Sequence, residues 1–142
     1  MSESAKHSIV VIQGDEDLQA LLPLMLSAKD VELVMAANGK QGLEAIHAYH
    51  PALIILDLNL PDMNGWELFL QLQSENGAQS PRFIILASQA SRVDRNFGLQ
   101  VAQVQDYLLK PFLPSQLRRS VSLALSPAVP LQYTHDLTQI VA

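Results

Sequence analysis

Four apolar runs, IVVI (9–12), LIIL (53–56), FIIL (83–86) and YLL (107–109), proceed without alternating apolar and polar residues, and a weaker one, VELVMAA (31–37), lies between the first two. A strand with one face in water alternates. A strand covered on both faces by helices reads as a continuous apolar run, the pattern of a parallel sheet. The intervening stretches carry helical spacing: Leu18, Leu21, Leu22 and Met25 in the first, Leu43 and Ile46 in the second, Trp66, Phe69 and Leu70 in the third. Leu117, Val121 and Leu125 mark a last helix, with Pro114 suited to its first turn. Strand and helix alternating five times predict an α/β fold, a doubly wound five-stranded parallel sheet with helices on both faces and right-handed crossovers.

The 142 residues suffice for one domain with a proper core. The expected organisation is a disordered N-terminus over 1–7, a folded domain over 8–125, and a tail or linker over 126–142 opening with two spaced prolines. Pro23 conflicts with the first helical pattern, because inside a helix it removes a hydrogen bond and crowds the preceding turn. A kink is expected there rather than a late start, since Leu18 already belongs to the periodic face.

Fourteen acidic residues against nine basic ones give a net charge of −5, which argues against nucleic acid or an anionic membrane as direct partner. With no cysteine, disulfides and thiolate metal sites are excluded. MSESAKHS lacks the apolar core of a signal peptide, and no apolar run approaches the ~20 residues needed to span a bilayer. A soluble, cytoplasmic protein is expected.

Open parallel sheets gather ligands beyond the carboxyl ends of their strands. That rule selects Gln13, Gly14 and Asp15 after the first strand, Asp57 after the third, Ala87 and Ser88 after the fourth, and Lys110 after the fifth. A strand-end Asp is as readily a cap or turn residue, and a lone Lys is usually a solvated surface group. The four histidines, His7, His47, His50 and His135, show no metal-ligand spacing.

Taken together the segments are more specific. LIILDLNLPDMNGWELF resembles the phosphoacceptor segment of bacterial response-regulator receiver domains, and DYLLKPF resembles their fifth strand; the resemblance spans residues 8–125. It implies the flavodoxin-like receiver fold and a phosphorelay switch of a two-component system, with a histidine kinase or phosphotransfer protein as phosphodonor. Asp57 takes the phosphoacceptor position. Two acidic residues after the first strand, with Asp57 and the backbone carbonyl of Asn59, would hold Mg²⁺. A hydroxyl ending the fourth strand and Lys110 would contact the phosphoryl oxygens, and Tyr107 would swing inward as the switch.

Two of these parts are absent. The acidic pair falls on Gln13 and Gly14, with Asp15 nearby, and the hydroxyl position falls on Ala87. A one-residue slip would bring Ser88 or Asp15 into place, but it also turns the wrong face inward unless a bulge absorbs it. The resulting expectation is a degenerate pseudo-receiver, a protein-interaction module with impaired or no phosphorylation at Asp57. No cofactor is expected, and Mg²⁺ only weakly, through Asp57 and Asn59. The alternative is a working phosphoacceptor with an atypical Mg²⁺ site. A phosphatase of the haloacid-dehalogenase type needs a general acid two residues after its nucleophile, and Asn59 cannot shuttle that proton, so no enzyme is expected.

With only a methyl at Ala87, Tyr107 is expected to point inward without phosphate. A protein partner is expected on residues 91–125, where Arg92, Arg95, Arg118 and Arg119 give a local positive bias; monomer and dimer both remain open. THDLTQIVA in the tail faintly resembles the start of a sensor-kinase phosphohistidine helix around His135, although an ordinary amphipathic tail accounts for it as well.

Overall fold

The computed structural model describes residues 7–27, 31–76, 81–88 and 104–126. Five strands, β1 (His7–Ile12), β2 (Val31–Ala36), β3 (Leu53–Asp57), β4 (Arg82–Ala87) and β5 (Asp106–Leu109), form one parallel sheet in the order β2-β1-β3-β4-β5. The described helices are α1 (Glu16–Met25), α2 (Gly39–Tyr49), α3 (Gly65–Asn76) and α4 (Pro114–Leu125). The span between β4 and β5, where a further helix is expected, lies outside the described residues, as do Arg92, Arg95 and the tail with His135. His7 opens β1, so the strand begins one residue inside the segment expected to be a disordered N-terminus.

The unalternating runs have the expected cause. All five residues of β3 are buried, and the sheet carries apolar clusters on both faces. One joins Val10, Ile12, Ile54, Leu56, Ile85 and Phe83 to α2 and α3, where Phe69 meets Phe83 and Trp66 edge-to-face at centroid distances of 4.7 and 5.6 Å. The other joins Ile9, Val11, Ile55, Ile84 and Leu86 to α1 and α4 through Leu22, Leu117 and Val121. Each such side chain contributes ~1.5–3 kcal/mol by leaving water. Leu21 and Leu70 depart from the helical pattern, being 46% and 50% exposed on the outer sides of α1 and α3.

Helix α1 begins at Glu16, with the Asp15 carboxylate accepting from Asp17 N–H and Leu18 N–H at 2.8 and 3.1 Å, so it does not start late. Pro23 lies inside it, near the C-terminal end. The missing N–H leaves Gln19 C=O without its helical donor, but the helix continues past it, and Leu26 N–H reaches Leu22 C=O at 3.0 Å.

The chain runs from β1 outward to β2, then crosses back to β3 on the other side of β1. The direction of winding thus reverses between β1 and β3, and a crevice opens beyond their carboxyl ends. Gln13 and Asp57 lie there.

Candidate functional site

Asp57 ends β3 with its side chain fully buried, and a buried carboxylate must be paired or hydrogen-bonded. Three donors meet it. Lys110, immediately after β5, brings Nζ to 2.5 Å from Oδ2. Gln13, immediately after β1, donates from Nε2 to the same oxygen at 2.5 Å. Asn59 N–H reaches Oδ1 at 2.7 Å. The ends of β1, β3 and β5 therefore converge on one carboxylate.

The orientation of the Gln13 amide is fixed from behind. Its Oε1 accepts Asp15 N–H at 2.6 Å, which leaves Nε2 to face Asp57. Its backbone is held by Gln13 N–H to Ala36 C=O at 3.0 Å and by Gln19 Nε2 to Gln13 C=O at 2.5 Å. Gln13 itself is 1% exposed. Gln19, on α1, was not singled out by the sequence, because only the fold brings it over the end of β1.

Gly14 allows no side chain without rearrangement. A Cβ there would sit 2.8 Å from Pro61 Cδ and 3.3 Å from Ala37 C=O, inside van der Waals contact. Gly65 is similarly constrained, since its Cβ would approach Asp57 C=O and Leu58 Cα at 2.7 Å. That close approach lets α3 start against the end of β3, with Asn64 Oδ1 capping Trp66 N–H at 2.7 Å.

The β4 register runs unbroken to Ala87, which pairs with Leu109, and Lys110 N–H reaches Ala87 C=O at 2.8 Å. No bulge shifts Ser88 into the position of Ala87; Ser88 lies past the strand, half-buried. Asp15 is likewise engaged elsewhere, as the exposed cap of α1, in keeping with the argument against a one-residue slip. Ala87 and Tyr107 belong to the same buried cluster, and Tyr107 is 5% exposed, with its ring inward. The Lys110–Pro111 peptide is cis.

Mg²⁺, which the resemblance implies, does not fit these donors. It prefers oxygen ligands in octahedral array. Among the described residues Asp57 is the sole carboxylate of the convergence, and an amide N–H and an ammonium already face its Oδ2. The other carboxylate oxygen, Oδ1, is engaged as well, accepting Asn59 N–H at 2.7 Å. Among the described residues no group of three or more His, Asp or Glu side chains is placed to hold a metal ion.

One functional-looking acid escaped the sequence reading. Asp62, in the loop after β3, accepts Gly39 N–H at 2.8 Å and Lys40 N–H at 3.0 Å at the start of α2. Those two backbone bonds, Gly39 foremost, hold its carboxyl below the ordinary value of 3.8. The hint in the sequence was a helix with no acidic residue in its own first turn. His47 and His50 are exposed, His50 as the left-handed C-cap of α2 with φ 46°.

Comparison with known proteins gives a consistent result. The family model described as "Response regulator receiver domain" matches residues 9–122. The chain is 30% identical over 115 residues to the DNA-binding response regulator MtrA of Mycobacterium tuberculosis, covering 81% of this chain and 49% of that protein. Against MtrA of Mycobacterium leprae it is 30% identical over 112 residues, covering 79% and 48%. The chain thus spans about half the length of these relatives. Among solved structures, a sensor protein from Polaromonas sp. JS666 superposes with a TM-score of 0.74 at 27% identity, covering 83% of this chain and 94% of that one. The receiver domain of the Francisella response regulator 1452 gives 0.75 at 24% identity, covering 84% and 96%.

Proposed function

This chain belongs to the response regulator receiver domain family, and from that premise we propose that it works as a protein-interaction module in which Asp57 accepts a phosphoryl group poorly or not at all. One observation carries the reading: Gln13 Nε2, in the place of an acidic metal ligand, donates to Asp57 Oδ2 at 2.5 Å. Phosphoryl transfer to a carboxylate depends on positioning and on neutralising the charge of the incoming group, work in which a divalent cation has a large share. Lys110 offers one positive charge and Asp57 already uses it. No hydroxyl on the strand end at Ala87 replaces the missing contact.

The interaction face includes α4, where Arg118 and Arg119 are exposed and give an acidic protein a local positive surface suited to an acidic or mixed protein partner. DNA binding belongs to the name of the MtrA relatives. With 14 acidic against 9 basic residues, this chain is a poor match for a polyanion, and a protein contact is the better reading. No described helix is long and apolar enough to cross a membrane. A cytoplasmic place in a bacterial two-component pathway agrees with the composition and with those relatives, as does a folded unit over 8–125 followed by a tail or linker.

A second reading, a phosphoacceptor with an atypical site, is favoured by the intact Asp57–Lys110 pair. Incubation with Mg²⁺ and acetyl phosphate, followed by intact mass, separates the two. We expect little or no phosphoryl adduct under conditions that label an ordinary receiver. Stoichiometric, Mg²⁺-dependent labelling that vanishes in Asp57→Asn would establish the second reading instead.

A further inference from the structure

We propose that the Gln13 side-chain amide is a built-in substitute for a divalent cation, so that the buried Asp57 carboxylate is held in place by protein groups alone and the domain is independent of metal. The inference deepens the functional reading above and rests on it in one respect, the assignment of the crevice between β1 and β3 as the receiver site.

The geometry is specific. A cation beside a carboxylate must neutralise it and fix its orientation. Lys110 supplies the charge to Oδ2, and Gln13 supplies a second, directed donor to the same oxygen at 2.5 Å. Asn59 N–H completes the set on Oδ1 at 2.7 Å. Gln13 is not free to turn its oxygen to Asp57 and so become a metal ligand, because Oε1 is engaged by Asp15 N–H at 2.6 Å. Gln19, bonded to Gln13 C=O, acts as a positioning residue for that strand end. The neighbouring position cannot recover a ligand, since a side chain at Gly14 would collide with Pro61. The Gln13 amide nitrogen is therefore one of the two donors that stand between Asp57 Oδ2 and a cation. Replacing it by oxygen adds a negative charge about 4 Å from any bound ion, enough to raise divalent affinity on the order of 100-fold.

The test titrates Mn²⁺ into the whole chain, with free Mn²⁺ counted by electron paramagnetic resonance and melting followed in parallel. Wild type should show no metal-dependent melting shift up to about 10 mM, a range in which any ligand with millimolar or tighter affinity for the fold stabilises it measurably. Gln13→Glu should bind Mn²⁺ at least tenfold more tightly than wild type, and the gain should disappear in Gln13→Glu combined with Asp57→Asn. A Gln13→Glu chain that folds only when Mn²⁺ is present supports the proposal equally, since the ion then does what the amide did. Wild type binding Mn²⁺ as tightly as Gln13→Glu overturns it, as does a folded Gln13→Glu with no gain. Should that variant fold in neither condition, the wild-type titration decides alone. Failure here is distinguishable from failure of the functional reading. Wild type that binds Mn²⁺ but takes no phosphoryl group contradicts only the substitute role, whereas wild type labelled by acetyl phosphate in the presence of a chelator contradicts only the functional reading.

Discussion

At the scale of single residues, the balance at Asp57 decides the behaviour of the site. A carboxylate with no exposure is tolerable only because Lys110, itself 23% exposed, lies against it. Removing one partner of a buried pair leaves an uncompensated charge, so Lys110→Met should destabilise the domain by roughly 3 kcal/mol, read from the urea unfolding midpoint. A change below about 0.5 kcal/mol would mean that Gln13 and Asn59 alone satisfy the carboxylate. Gly14→Asp should also lose stability, by about 1–3 kcal/mol, because Pro61 occupies the space its Cβ needs. A Gly14→Asp chain as stable as wild type would show that the Pro61 loop yields. The departures at Gln13, Gly14 and Ala87 were legible in the sequence, because a strand-end position can be counted. The direction of the Gln13 amide was not. It depends on a contact between residues 44 apart and on a second hydrogen bond to the Asp15 backbone, neither of which leaves a periodic trace.

At the scale of elements, the strands were the legible part. Burial on both faces forces continuous apolar runs, and all five predicted runs became strands. Helix starts were partly legible, with Pro114 opening α4 as expected, while the capping of α2 was hidden. Asn38 accepts Gln41 N–H at 2.8 Å, and Asp62 arrives from a different loop to take Gly39 N–H and Lys40 N–H. The second contact has a pH signature. The Asp62 carboxyl is lowered in the folded protein, so its stabilising effect is fully present above the ordinary value of 3.8 and is lost as pH falls through the lower folded value. As pH falls below about 4, Asp62→Asn should therefore show a shallower acid loss of stability than wild type in urea midpoints. Parallel acid limbs would mean that the two backbone bonds do not persist in solution. Leu21 and Leu70 share the helical spacing yet face outward for a related reason: spacing identifies a helical face only to within a residue or so, and packing against the sheet chooses which side is covered.

At the scale of the whole molecule, reversal of winding between β1 and β3 builds the crevice, and the family comparison places this fold among receiver domains. In that frame Tyr107 is the residue we propose as reporter of the switch. It is 5% exposed and shares its cluster with Ala87, whose methyl leaves the ring room to stay inward. On the proposed function, the receiver shape is kept while its response to phosphoryl chemistry is lost. The most direct measurement is the ¹H–¹⁵N amide spectrum of the whole chain, recorded alone and then with Mg²⁺ and acetyl phosphate. The resonances of Ala87, Ser88, Tyr107 and Lys110 are expected to stay where they are. Saturable shifts at those four amides, absent in Asp57→Asn, would contradict the proposed function.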